Sequence, residues 1–128
     1  MKKKILIVVA NYYNDVSRGL LLSSKKLIPK SSKLKIIEVP GVFEIPVTIK
    51  KNIKRYDAFI ALGCVIKGQT PHFDFISQAS INAIMNLSID NKKPIGNGII
   101  TCLSLKQAKV RKKKGAEATK AVLSILSQ

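Results

Sequence analysis

His72 is the only histidine in the chain, and it closes the run Gly63-Cys64-Val65-Ile66-Lys67-Gly68-Gln69-Thr70-Pro71-His72. An apolar segment, residues 58–62, leads into that run, and an apolar-periodic segment, residues 75–89, leads out of it. The spacing predicts strand, loop and helix, with the loop opening at Gly63. Gly68 frees the backbone for turn geometries that other residues avoid. Pro71 has a fixed φ and no N–H, which suits a helix first turn. Loop amides and a helix start converging on one point make an anion site. An imidazole beside it, with an ordinary pKa near about 6.5, is suited to moving protons. The same pattern also serves plain α/β proteins, where the glycine turns the chain and the histidine is a cap or a surface residue. The run alone leaves both readings open.

The elements that would hold this run alternate along the chain. Residues 4–10 (KILIVVA) form a continuous apolar strand of the doubly buried, parallel-sheet kind. A polar, aromatic loop, residues 11–15, follows, with Asn14 or Asp15 placed to cap the next helix. In that helix Val16, Leu20 and Leu27 share a face, Leu21 and Ile28 widen it, and Pro29 stops it. Residues 34–39 are a second strand, ended by Pro40-Gly41. Ile45, Ile49 and Ile53 then recur every fourth residue on a helix with Pro46 in its first turn and Glu44 at its positive end. After the strand at 58–62, helix 74–89 carries two stripes, Ile76, Ala79, Ala83 and Leu87, and Ile81, Ile84 and Met85. Apolar residues on more than one face predict burial against the sheet and against another subunit. Residues 95–101 are a fourth strand and 105–114 a basic helix. Gly115 ends or kinks that helix, and Ala118, Ala121, Val122 and Ile125 face inward on a last helix. Strands alternating with helices predict a three-layer α/β sandwich on a four-stranded parallel sheet. Ligands bind such sheets beyond the carboxyl ends of the strands. That rule gathers residues 11–13, 40–44, 64–72 and Cys102 on one edge.

Composition bounds the rest. A chain of 128 residues and 14.1 kDa is one domain, 1–128, with room for a true core. No apolar run approaches the roughly 20 residues that span a bilayer. The opening Met1-Lys2-Lys3-Lys4 and its short apolar sequel lack a small-residue cleavage site, which predicts a first strand and a cytoplasmic protein without membrane attachment. Cys64 and Cys102 have neither metal-ligand nor redox spacing, so both are expected reduced, with no metal bound. Lys and Arg total 23 against 7 acids, a net charge of +16. That raises nucleic acid, membrane or acidic substrates as partners. The lysines are dispersed, however, arginines number three, and no aromatic is interleaved with a basic run. Solvated faces and steering of anionic substrates account for the charge better than nucleic-acid recognition.

A resemblance narrows the chemistry. Residues 40–46 (PGVFEIP) and 62–75 (LGCVIKGQTPHFDF) closely resemble the two signature segments of the lumazine synthase (6,7-dimethyl-8-ribityllumazine synthase) family. Supporting matches at 7–12, 97–101, 107–111 and 114–118 run in family order across nearly the whole chain. The resemblance implies a flavodoxin-like fold and homo-oligomers that are pentamers or larger shells. It implies condensation of 5-amino-6-(D-ribitylamino)uracil with 3,4-dihydroxy-2-butanone 4-phosphate in riboflavin synthesis, without cofactor or metal.

Its site residues carry over by position. Tyr12 takes the place of an aromatic that stacks on the pyrimidine, where it would otherwise be a loop aromatic covering core. Val42, Phe43 and Glu44 match the segment holding the ribityl chain, and Cys64, Val65 and Ile66 the strand end meeting the pyrimidine edge. Gln69 and Thr70 match the loop whose amides hold phosphate, and His72 the proton-transfer histidine. Arg111 matches the phosphate-binding arginine, a planar fork suited to phosphate oxygens. Without the resemblance it is one more charge on a basic helix. Lys114 stands next to the phosphate end. Asn97, Arg111 and Lys114 would come from the adjacent subunit, placing each site between chains.

Three positions depart from the family pattern. Asn97 stands where many members have an aromatic. The connection from Arg111 to Lys114 is shorter than usual, which brings Lys112 and Lys113 into contention with Lys114. The chain also starts almost at its first strand, where many members carry a segment that joins a neighbour's sheet. Two other readings compete. A non-catalytic flavin-binding or shell-forming relative would lack Thr70, His72 and Arg111, which are present here. A nucleic-acid-binding α/β protein would need a contiguous basic face and steeply salt-dependent binding.

Overall fold

A computed structural model describes residues 2–128. Four parallel strands, β1 (Lys4–Ala10), β2 (Lys33–Val39), β3 (Ala58–Ile66) and β4 (Ile95–Cys102), lie in the order β2-β1-β3-β4. Helices cover both faces, giving the flavodoxin-like three-layer sandwich expected. On one face α1 (Asn14–Lys26), α4 (Leu105–Lys109) and α5 (Lys114–Leu126) enclose a core of Ile5, Ile7, Leu20, Ile60, Leu62 and Val122. On the other, α2 (Ile45–Lys51) and α3 (His72–Asn91) close over Leu6, Val8, Ile45, Ile49, Phe59 and Ile84. Central β1 and β3 are buried on both faces, which is why their sequences read as unbroken apolar runs. Edge strand β2 alternates because its outer half meets water.

Ile45, Ile49 and Ile53 are all buried, with Pro46 in the first turn of α2 as its spacing indicates. Several local expectations are corrected. β3 runs on through Ile66, so Gly63 to Ile66 are strand, because β4 offers partners up to Ile66↔Cys102. α3 begins at His72, and Pro71 occupies its N-cap position rather than the first turn. No described glycine has positive φ, and among the described residues the one left-handed residue is Lys92, φ 54°, closing α3. Gly68 therefore makes its turn without that freedom. Neither Asn14 nor Asp15 caps α1, whose N-cap is Tyr13 without a side-chain bond. Instead the buried Ser17 hydroxyl donates to the Ala10 carbonyl, pinning the helix to the end of β1. α1 stops at Lys26, leaving Leu27 a partly exposed cap residue rather than part of the inner face.

The basic helix ends at Lys109, and residues 110–113 form a turn. Ser104 caps α4 by accepting the Gln107 N–H, while the Gln107 side chain accepts the Leu103 N–H in return. Gly115 lies inside the first turn of α5, packed on α1, and so does not terminate a helix. On α5 the inner positions are Ala118, Thr119 and Val122, whereas Ala121 and Ile125 face out. Thr119 takes an inner place because its hydroxyl meets that of Ser24 at 2.7 Å, a polar tie between α1 and α5. On α3, Ile84 faces the sheet with Ile76 and Leu87, and Ala79 turns outward. The exposed apolar set on α3 is Phe75, Met85 and Ile89, 67%, 57% and 65% accessible. No described helix is long and apolar enough to cross a membrane.

Candidate active site

The carboxyl edge of the sheet carries a cleft of about 270 Å³. The end of β1 supplies Tyr12 and Tyr13, the turn after β2 supplies Val42 and Phe43, and the end of β3 supplies Cys64, Val65 and Ile66. His72 and Ile76 close it from the first turns of α3. The walls are largely apolar and His72 adds an imidazole to them, an arrangement that positions a flat heterocycle beside one proton carrier.

Each wall has a local cause. Gly41 is extended (φ −149°, ψ 172°) and starts the 3-10 turn Val42–Glu44, which buries Val42 and leaves Phe43 61% exposed at the rim. Gly63 lets that turn sit on β3, since a Cβ there would come within 2.7 Å of Val42 Cγ2. Tyr12 is 74% exposed and meets Tyr13 edge to face at 4.9 Å between ring centres. An exposed ring at a cleft mouth keeps a free face for stacking. Burial raises the Tyr13 phenol above its ordinary pKa, with Tyr12 and Cys64 adding to the effect, so it stays a neutral donor. Burial pushes the Cys64 thiol up to about 12, with the charge of Cys102 and then a hydrogen bond to Cys102 contributing. Cys64 is therefore an apolar wall and not a nucleophile at neutral pH.

A second cleft, of about 470 Å³, opens along β4 and the turn into α5. It holds Asn97, Arg111, Lys113 and Lys114, with Glu117 at its side and Ile81 of α3 on the far wall. The Asn97 side chain accepts the Ile99 N–H at 3.1 Å, which orients its amide. The Arg111 guanidinium leans over the end of β4, 3.4 Å from the Thr101 carbonyl and 3.8 Å from the Cys102 sulfur. Both contacts are long, so most of its donors stay available to an anion. Of the three lysines after Arg111, Lys113 and Lys114 reach this cleft. Lys112 instead packs its stem over Gly19 of α1.

The residues singled out from sequence thus fall into two groups on one chain. Tyr12, Val42, Phe43, Cys64, Val65, Ile66 and His72 share the first cleft, and Asn97, Arg111 and Lys114 share the second. Glu44 is at the edge of the first, its carboxylate beside Gly41. Gln69 and Thr70 lie on the exposed turn before α3, and line neither cleft. The Thr70 hydroxyl is 3.4 Å from the His72 N–H, a long contact that faces the helix start. Two further lining residues had weaker signals: Tyr13 was placed at this edge without a role, and Lys113 was named only as an alternative to Lys114. Adjacency to Tyr12 and to Lys114 was the available signal, and neither neighbour's side-chain direction can be read from spacing in an irregular turn.

Residues 2–128 match the family profile described as 6,7-dimethyl-8-ribityllumazine synthase. The chain belongs to the 6,7-dimethyl-8-ribityllumazine synthase family. A 6,7-dimethyl-8-ribityllumazine synthase of Methylorubrum populi is 38% identical over 137 residues, 97% of this chain and 81% of the relative. One from Bartonella bacilliformis is 42% identical over 116 residues, 87% and 76% of the two chains. A protein of Rhodopseudomonas palustris, 6,7-dimethyl-8-ribityllumazine synthase 1, is 40% identical over 136 residues, covering 96% and 83%. The sequence resemblance is therefore a family relationship along the whole chain. The enzymatic reading, a transferase of riboflavin biosynthesis acting on small molecules as an oligomer, is the one this membership carries.

Proposed function

We propose that the chain is a working lumazine synthase whose active site forms between two subunits of a homopentamer. The observation that supports this is the division of the site residues. The proton carrier His72 lies in one cleft, and the phosphate-binding candidates Arg111 and Lys114 lie in the other. A ring that turns the first cleft of each chain toward the second cleft of its neighbour brings them together. Residues 1–128 act as one domain, in the cytoplasm, with no nucleic acid or membrane as partner.

In this reading Tyr12 stacks on 5-amino-6-(D-ribitylamino)uracil, the Cys64–Ile66 backbone meets its ring edge, and Val42, Phe43 and Glu44 hold the ribityl hydroxyls. Asn97 of the neighbour borders the pyrimidine, while its Arg111, with Lys114 next to it, and the amides of Gln69 and Thr70 hold the phosphate of 3,4-dihydroxy-2-butanone 4-phosphate. The ring amine adds to the ketone and water leaves, giving an imine. Phosphate departs by β-elimination, its growing charge held by the guanidinium and ammonium groups. The enol tautomerises, the ribitylamino nitrogen closes the second ring on the carbonyl, and a second water leaves. His72 moves the protons. No step changes the oxidation state of the pair taken together, so the sequence of bonds calls for no redox cofactor. Much of the acceleration comes from holding two reactants in contact.

The test uses two defective chains. His72→Ala lowers kcat about ten- to a hundredfold, because approximation survives it. Co-expressed in equal amounts with Arg111→Ala, it restores activity to about a quarter of the wild-type sites, the chance that each intact half meets the other across an interface. Activity that stays at the mean of the two separate variants would place the whole site within one chain and overturn the proposal.

A further inference from the structure

The end of the sheet opposite the candidate active site carries a cleft of about 480 Å³, lined by Lys4, Lys33, Lys35, Lys54, Arg55 and Tyr56. Five of its six lining residues are cations, and no acidic side chain is among them. The fold brings these charges together in two steps. Parallel register sets Lys4 beside Lys33, with Lys35 two residues on along β2 and therefore on the same face. The chain leaving α2 then lays Lys54 and Arg55 across that face before β3 begins. Asp57, just beyond Tyr56, directs its carboxylate to the Lys4 backbone N–H at 2.8 Å.

Most lysines of this chain are dispersed and point to water, where like charges cost little. Here two of them are directly opposite across a strand pair, where like charges are unfavourable, and three more cations share the same concavity. A bound anion would relieve that repulsion. One phosphate group carries about −1.5 to −2 charges near neutral pH, too few for five cations. The cleft also suits a single strand of nucleic acid poorly. Its one aromatic, Tyr56, is half-buried and packed edge-on against Phe59 at 6.1 Å between ring centres, leaving no free stacking platform.

We infer that this cleft is a binding site for a compact polyphosphorylated anion, a chain of linked phosphates as in inorganic tripolyphosphate or a nucleoside triphosphate. The Arg55 guanidinium grips one phosphate in a bidentate manner and the four ammonium groups spread over the others. The site is separate from the residues assigned to lumazine formation, so it stands whether or not those assignments hold.

Titration calorimetry on the full-length protein, at about 150 mM salt so that diffuse attraction is screened, tests this with tripolyphosphate, ATP, orthophosphate and a single-stranded RNA oligonucleotide. The chain binds one tripolyphosphate, and orthophosphate at least about tenfold more weakly. The exposed triple variant Lys33→Gln/Lys35→Gln/Lys54→Gln loses at least about tenfold in affinity, whereas Lys25→Gln/Lys26→Gln/Lys120→Gln, with the same change in net charge, loses less than about threefold. Tripolyphosphate raises Tm in the wild type and the control but not in the first triple. Equal binding of ATP assigns the shared triphosphate group, and failure of ATP assigns the inorganic chain. Equal losses in both triples, binding of RNA alone, or binding abolished by Arg111→Ala and kept by the first triple would each overturn the inference.

Discussion

Gly115 lies so near Leu20 that a Cβ added to it would come within 2.1 Å of the Leu20 carbonyl oxygen and 2.5 Å of the Ser23 hydroxyl. The close approach seats the first turn of α5 on α1 and fixes the residue before it, Lys114, at the second cleft. Because the obstacle is backbone, it cannot turn aside. Gly115→Ala should therefore destabilise the fold by about 1–3 kcal/mol. Urea unfolding followed by circular dichroism checks this, and a midpoint equal to wild type would show that the helix pair can part at no cost.

Arg111→Ala should cripple use of the butanone phosphate and leave binding of the pyrimidine nearly intact. A charge-assisted hydrogen bond contributes about 1.5–3 kcal/mol, which is roughly a ten- to 150-fold loss in kcat/KM for the phosphate substrate. The long contacts of Arg111 to Thr101 and Cys102 offer little to lose within the fold, so Tm should hardly move. Steady-state kinetics with each substrate varied in turn decides. Unchanged constants for the phosphate substrate would mean that Lys113 and Lys114 suffice.

The proposed pentamer should depend on the outer face of α3. Phe75, Met85 and Ile89 are exposed apolar side chains on one helix, an association surface that a closed ring would cover. Met85→Asp/Ile89→Asp should yield monomers, with activity falling in step. Charge opposes assembly at +16 per chain, but a Debye length of about 8 Å at physiological salt screens most of it. Light scattering across salt concentrations should show wild-type assembly tightening as salt rises. A fully active wild-type monomer would refute both the interface and the shared site.

Cys64 ties alkaline stability to burial. Its folded pKa is pushed up to about 12, above the about 8.5 of a free thiol. Its contribution is complete below the unfolded pKa and is lost as pH rises toward the folded value. Wild type should thus lose stability between about pH 9 and 12, and Cys64→Ser should lose less over that window, although it starts less stable at pH 7. Denaturation midpoints across that pH range test it. Parallel declines of the two proteins would assign the alkaline loss to other groups.

The chain pattern by itself determined the layered α/β architecture. Burial on both faces forces β1 and β3 to be apolar throughout, and the fourfold recurrence of Ile45, Ile49 and Ile53 admits one inward helix face. It also determined the family, because signature segments in order along a chain are far more specific than any loop shape. Boundaries were decided elsewhere. β3 continues to Ile66 because β4 is there to pair with it, and nothing local to Gly63 announces that neighbour. The helix that seemed continuous from 105 to 114 breaks at Lys109, and Gly115 is needed for its contact with Leu20, a residue 95 positions earlier. Two apolar faces on α3 have no preferred inside until the sheet is placed against them, and Ile84 of one stripe meets it together with Ile76 and Leu87 of the other. Most of all, only tertiary structure separated His72 from Arg111. Residue type marks both as able to do chemistry, but which cleft a side chain enters depends on the path of the backbone through β4 and the turn at 110–113, and that path is set by long-range packing.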